Sequence, residues 1–122
     1  MNGSQRIPAG LQAPGRQLWS AVTDEYDIDE HERLLLLEAC RIADRLDRLA
    51  EESAGESLTT TNFKGDPVAN PKLVEARQQG IVFARLLASL RLPSGDEADL
   101  TRPQRRGGAR GSYPTRTLRS TS

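Results

Sequence analysis

Four consecutive leucines, Leu34-Leu35-Leu36-Leu37, stand inside a stretch with helical periodicity. At about 100° per residue, four successive positions sweep roughly 300° of a helix surface. No single partner face covers that arc, so a helix carrying this run needs more than one neighbour. In a chain of 122 residues, one such neighbour can be a second subunit. Leu35, Ala39, Ile42, Leu46 and Leu49 recur at spacings of 4, 3, 4 and 3, a heptad seam. Leu36, Cys40, Ala43 and Ala50 form a second stripe beside it. Asp29 can cap this helix, with Glu32 three residues on as its capping-box partner. Glu30 and Glu32 suit the positive end of the helix dipole. Asp44 with Arg48, and Arg48 with Glu52, are spaced for i,i+4 pairing. Gly55 is a natural stop, so the spacing predicts a helix over 30–53.

Two further helices flank it. Pro14 suits a first turn, and Leu18, Val22 and Tyr26 recur every fourth residue, which predicts a helix over 14–26. Trp19, the largest hydrophobe in the chain, is the expected core anchor. Asn70 is a good N-cap and Pro71 a good first residue. Leu73, Ala76, Gly80, Phe83, Leu87 and Leu90 then follow at heptad-like spacing until Leu92-Pro93. Gly80 costs up to about 1 kcal/mol inside a helix, so a close helix–helix approach is expected there. Between these helices, Leu58-Thr59-Thr60-Thr61-Asn62-Phe63 is β-branched, Lys64-Gly65-Asp66 supplies a turn and Pro67-Val68-Ala69 follows. That pattern reads as a short β-hairpin with Pro67 on an edge. Two strands alone are marginal in water, so this hairpin must pack on helices or pair between subunits.

The fold class is therefore mainly α: three helices with a small β-hairpin between the second and third, flanked by disordered termini. Residues 1–12 read as a flexible arm, 13–93 as the helical domain and 94–122 as a disordered, arginine-rich tail. A core this small seldom supplies more than about 3–5 kcal/mol net. The two seams and the leucine run exceed what it needs, which implies a homo-oligomer. Its expected core and interface residues are Trp19, Leu34, Leu35, Leu36, Leu37, Ile42, Leu46, Leu49, Phe83, Leu87 and Leu90.

Charge is unevenly distributed. The formal net charge is zero, with 17 basic and 17 acidic residues. Six arginines and no acid fall in 102–122, which leaves 11 bases against 17 acids before it, a net of −6. The acids concentrate at Asp24, Glu25, Asp27, Asp29, Glu30 and Glu32, and again at Asp96, Glu97 and Asp99. An acidic body with a basic tail offers two surfaces to two kinds of partner. Arginine outnumbers lysine 15 to 2, a bias that suits bidentate phosphate contact and that a GC-rich genome produces equally. Arg105-Arg106-Gly107-Gly108-Ala109-Arg110 is similar in kind to arginine–glycine segments that bind nucleic acid without sequence readout. On charge alone, the candidate DNA-binding residues are Arg6, Arg16, Arg102, Arg105, Arg106, Arg110, Arg116 and Arg119.

Catalytic patterns fail one by one. His31-Glu32 begins like the zincin motif, but the second histidine would fall at Leu35, and His31 is the only histidine. No serine or cysteine nucleophile has a histidine base available to it, and no P-loop motif occurs. Cys40 lies on the inner stripe and reads as an inert core thiol. A single cysteine excludes an internal disulfide and a cysteine-based zinc site. Neither a run of about 18 apolar residues nor a secretory signal is visible. The sequence thus predicts a non-enzymatic intracellular protein with no membrane span, no metal and no cofactor.

The order of features resembles the small subunit of tailed-bacteriophage terminases over roughly residues 8–93. The resemblance rests on Leu11 with Gly15-Arg16-Gln17-Leu18-Trp19, then on Asp29-Glu30-His31-Glu32 leading into Leu34-Leu35-Leu36-Leu37-Glu38-Ala39-Cys40. Most specific is Leu58 to Pro71, entering a helix with Leu73, Arg77, Phe83, Leu86, Leu87 and Leu90. It implies a ring-shaped homo-oligomer in the host cytoplasm that recognises double-stranded viral DNA. That ring would deliver the DNA to the large terminase subunit, which carries the ATPase and nuclease. The tail lies outside the resemblance and can serve DNA or the large subunit. The alternative reading is a helical homo-oligomeric protein–protein adaptor without nucleic-acid binding.

Overall fold

The structure, a computed structural model, describes residues 6–92 together with Gln104 and Arg105. Three helices and a hairpin appear in the predicted order. Helix α1 spans Ala13–Glu25, the two-residue strand β1 spans Tyr26–Asp27, and α2 spans Glu30–Glu52. Strands β2 (Thr59–Thr61) and β3 (Pro67–Ala69) form the hairpin, and α3 spans Pro71–Leu90. Strand β4, Gln104–Arg105, pairs antiparallel with β1, Tyr26 opposite Arg105 and Asp27 opposite Gln104. It falls within the segment that the sequence reads as a disordered tail. The rest of that tail lies outside the described residues.

Helix α2 begins where its capping box predicts. The Glu32 amide donates to Asp29 Oδ1 at 3.0 Å, and the Asp29 amide donates back to Glu32 Oε1 at 2.8 Å. Arg48 Nε reaches Glu52 Oε2 at 3.1 Å, as its spacing predicts. Asp44 does something else. Helix α1 has no side-chain cap of its own, and the Asp44 carboxylate takes that role from α2. Gln12 N donates to its Oδ2 at 2.8 Å and Gly15 N to its Oδ1 at 2.7 Å. A charge-assisted pair of this kind satisfies two orphan amides and pins α1 against α2.

The core lies where α1, the first half of α2 and the end of α3 meet. Trp19, 1% exposed, packs with Leu11, Val22, Tyr26, Leu36, Cys40 and Leu90. The packed domain therefore reaches back past residue 13, into the segment read as a flexible arm. The leucine run is resolved mostly within one chain. Leu36 is fully buried, Leu35 and Leu37 pack half-buried against the core, and only Leu34 is left out, 54% exposed. The arc that one face cannot cover is covered by two, because both α1 and α3 pack on α2.

Glycines correct a second expectation. A Cβ at Gly80 would meet nothing within 4 Å, so no close approach among the described residues explains it. The close approach is at Gly15, where a Cβ would lie 2.7 Å from Asp44 Oδ2 and 2.8 Å from the Cys40 carbonyl oxygen. Gly15→Ala should therefore cost about 1–3 kcal/mol through overpacking, while Gly80→Ala should gain up to about 1 kcal/mol. Thermal melts of the two variants should shift in opposite directions.

Burial, and to a lesser degree the Asp44 carboxylate, push the Cys40 thiol up to about 12. In the unfolded chain the same thiol ionises near its ordinary value of 9. Its folded pKa is thus the higher, so its contribution to stability is whole below pH 9 and is lost as pH rises towards 12. At pH 8 iodoacetamide should leave the native thiol unmodified and label it fully in denaturant. Prompt native labelling would contradict this burial.

Candidate functional site

The hairpin stands off the helices as a blade. Thr59 pairs with Ala69, Thr60 with Val68 and Thr61 with Pro67. All six strand residues are exposed. The turn is organised by Asn62, whose Oδ1 accepts from Lys64 N at 2.9 Å and from Asp66 N at 3.0 Å. Asn62 N donates to Asp66 O at 2.9 Å, and Gly65 sits at φ +88°, where a side chain would be strained. At the tip, Phe63 is 94% exposed, with Lys64 Nζ 5.9 Å from its ring centroid. Leu58, at the start of the first arm, is 77% exposed. Among the described residues no helix covers the strands, so the hairpin does not pack on the helices as one of its two expected placements had it.

Its root, by contrast, is tied down. Asn70 is buried. Its Nδ2 donates to Glu56 Oε1 at 2.9 Å and to Ser57 O at 3.1 Å, and its Oδ1 accepts from Lys72 N at 3.0 Å, which caps α3. Its own amide donates to Leu58 O at 2.8 Å. Lys72 Nζ donates to Glu56 Oε2 at 2.8 Å and to the Glu52 carbonyl at 3.3 Å. The Asn70 and Lys72 side chains together thus join the end of α2, the base of the blade and the first turn of α3. Hydrogen bonds from Lys72, then from Asn70, hold the Glu56 carboxyl below the usual range, and the same contact raises Lys72. A depressed carboxylate contributes at neutral pH and loses that contribution as acid protonates it.

The expected core and interface residues divide by burial. Trp19, Leu36, Ile42 and Leu90 are buried within the chain. Leu35, Leu37, Leu46, Leu49, Phe83 and Leu87 are half-buried, and Leu34 is exposed. Besides Leu34, the large apolar groups exposed among the described residues are not in that expected set. They are Ile7 ahead of α1, Leu58, Phe63 and Val68 on the hairpin, and Ile81 and Val82 on α3. Heptad counting marks the side of α3 that meets α2, and it does not rank what remains outside.

The candidate DNA-binding arginines are not gathered into one site. Arg6 and Arg16 are both exposed near the start of α1, and Arg16 Nη1 donates to Leu11 O at 2.9 Å. Arg105 lies in β4, beyond the other end of α1. Arg102, Arg106, Arg110, Arg116 and Arg119 lie outside the described residues. Asp29, His31 and Glu32 bring ligand atoms within 4.8 Å of one another, but the capping box explains the grouping. Asp29 and Glu32 bond each other's amides, and His31 Nδ1 sits 3.0 Å from Asp29 Oδ1. Among the described residues no helix is long and apolar enough to cross a membrane.

Asn70→Ala should cost about 1–2 kcal/mol by removing the α3 cap and leaving the Glu56 and Ser57 acceptors without that donor. Denaturant unfolding should register the loss, and an unchanged midpoint would remove Asn70 from the root of the blade. Comparison with protein-family models, curated proteins and solved structures finds no match to this chain.

Proposed function

We propose that this chain is a terminase small subunit: a non-catalytic, homo-oligomeric adaptor in the host cytoplasm. It recognises double-stranded viral DNA and delivers it to the large terminase subunit for genome packaging. The observation that carries the reading is the blade. Residues 58–71 are the most specific part of the resemblance, and they form a rooted hairpin whose strands no helix covers. A two-stranded hairpin is marginal in water. Its open edges and the exposed Phe63 and Leu58 suit contact with neighbouring copies. Each subunit then adds a weak electrostatic contact with DNA, and the assembly multiplies those contacts by raising effective concentration.

A second reading is a homo-oligomeric protein–protein adaptor that does not bind nucleic acid. One observation favours it. The stretch from Leu58 to Asn70 carries only Lys64 and Asp66, of opposite sign, so the blade itself has little to offer a phosphate backbone.

Light scattering on the purified protein should give a discrete mass well above a tetramer. Phe63→Ser with Leu58→Ser should shift it to smaller species while the helical circular dichroism persists. A monomeric wild type at micromolar concentration would overturn the ring. In a shift assay with a DNA duplex, six phosphate contacts from the tail predict a slope of about −5 in log K against log salt. Affinity should then fall by about 10³ between 50 and 200 mM salt. No binding at 50 mM, even with the large subunit present, would leave the adaptor reading in its place.

A further inference from the structure

Helix α3 gives Leu87 and Leu90 to the core and leaves its opposite side uncovered. Arg77, Ile81 and Arg85 recur there at i, i+4 and i+8, on one face of the helix, and all three are exposed. Val82, beside Ile81, is exposed as well. Neither arginine has an ion pair or a hydrogen-bond partner among the described residues, whereas Arg33, Arg41, Arg45 and Arg48 all have one. The only acid of α3 is Glu75, which accepts from Gln79 Nε2 at 2.7 Å. This face is therefore apolar at its centre and positive on either side.

Helix α2 carries a surface that matches it. The second apolar stripe of α2 is buried at Leu36 and Cys40, where α1 packs on it. Helix α1 starts beside Asp44, so the last two turns of α2 lie beyond its reach. There the stripe continues through Asp47, Ala50 and Glu51, all exposed. Neither carboxylate has a partner among the described residues. An open cleft of about 490 Å³ lies where the start of α1 meets this face. Ala13 and Pro14 give it an apolar wall, and Asp47 and Glu51 an acidic one. Arg45 and Arg48 also border the cleft, but Arg45 is held by Glu38 and Gln79, and Arg48 by Glu52. Within one chain the two surfaces cannot meet, because the α3 face points away from α2.

We propose that the outer face of α3 in one copy docks on the α2 face around Asp47 and Glu51 of the next. Ile81 enters the cleft beside Ala13 and Pro14, and Arg77 and Arg85 pair with the two carboxylates. The occupant is a second copy because each surface supplies what the other lacks. One has unpaired cations around an exposed apolar side chain, and the other has unpaired carboxylates around an open cleft. The proposal deepens the homo-oligomeric reading above and rests on it. A contact between two different patches is heterologous, and head-to-tail repetition closes a ring where the rotation allows. Exposed ion pairs each contribute little stability. Their part is to fix register, since a reversed arrangement would bring like charges together. Burial of Ile81 and the hairpin contacts supply the attraction.

Light scattering on the full chain tests this by charge reversal. One variant carries Arg77→Glu with Arg85→Glu, a second carries Asp47→Arg with Glu51→Arg, and a third carries all four changes. A control joins Arg77→Glu and Arg85→Glu to Glu52→Arg and Glu75→Arg, which restores the net charge without restoring the acceptor. All these positions are exposed, so helical circular dichroism should persist in every variant. Each two-site variant should lose the large species at micromolar concentration. The four-site variant should regain it. An equimolar mixture of the two two-site variants should regain it too, since each then offers the surface that the other needs. A wild type that assembles while both two-site variants keep its mass would overturn this interface and leave the homo-oligomer standing. A monomeric wild type would overturn both. Reassembly of the control to the extent of the four-site variant would reduce the effect to net charge and overturn the pairing. Duplex binding lost on Arg77→Glu with Arg85→Glu, at unchanged mass, would overturn the interface and assign the α3 face to phosphate.

Discussion

The Asp44 carboxylate holds the amides of Gln12 and Gly15 at 2.8 and 2.7 Å, and much of the fold follows from that pair of bonds. Helix α1 starts without a cap of its own and without an acid in its first turn. Its exposed amides therefore need an acceptor, and α2 provides one about four turns along. The close approach leaves no room for a Cβ at Gly15. It also fixes the rotation of α1, so that Trp19, Val22 and Tyr26 turn towards Leu36 and Cys40. The buried thiol next to that carboxylate stays protonated as a consequence. At its far end the same helix delivers β1 to a fixed place.

With α1 pinned on one side and α3 packed on the other, α2 is the shared central helix. That arrangement uses up most of the apolar stripes that seemed to call for a second chain. Leu36, Ala39, Cys40 and Ile42 are buried inside a single subunit. What is left outside among the described residues is narrower and differently placed: Ile7 ahead of α1, Leu34 on α2, Ile81 and Val82 on α3, and the hairpin. The blade is the telling case. Its residues are ordered by the Asn70 root and the Asn62 turn, and ordering a backbone costs about 1–2 kcal/mol per residue. The exposed strands offset little of that cost among the described residues, whereas contacts between copies would. The proposed assembly therefore rests on the hairpin and the outer face of α3, and not on the leucine run.

Much of the local architecture was legible in the chain. The capping box at Asp29 and Glu32, the Asn70-Pro71 start of α3 and the Lys64-Gly65-Asp66 turn each depend on groups a few residues apart. Their bonds form within one turn, so spacing alone locates them. The contacts between helices were less legible. Asp44 looked like an i,i+4 partner for Arg48, yet its amide donors lie about thirty positions earlier in the sequence. Gly80 looked like the close contact, yet Gly15 is.

By itself the sequence determined where the helices and hairpin begin and end, which stripes are apolar, and how charge divides between body and tail. Those properties follow from neighbours along the chain: side chains that cap, turn or repeat at fixed intervals. Only the tertiary structure decided which stripes are satisfied inside one subunit, that the hairpin projects uncovered, and that β4 of the tail pairs with β1. These depend on how α1 and α3 are rotated about α2 and on which amides reach the Asp44 carboxylate. Periodicity does not encode such long-range geometry, since each stripe reads the same whatever comes to cover it.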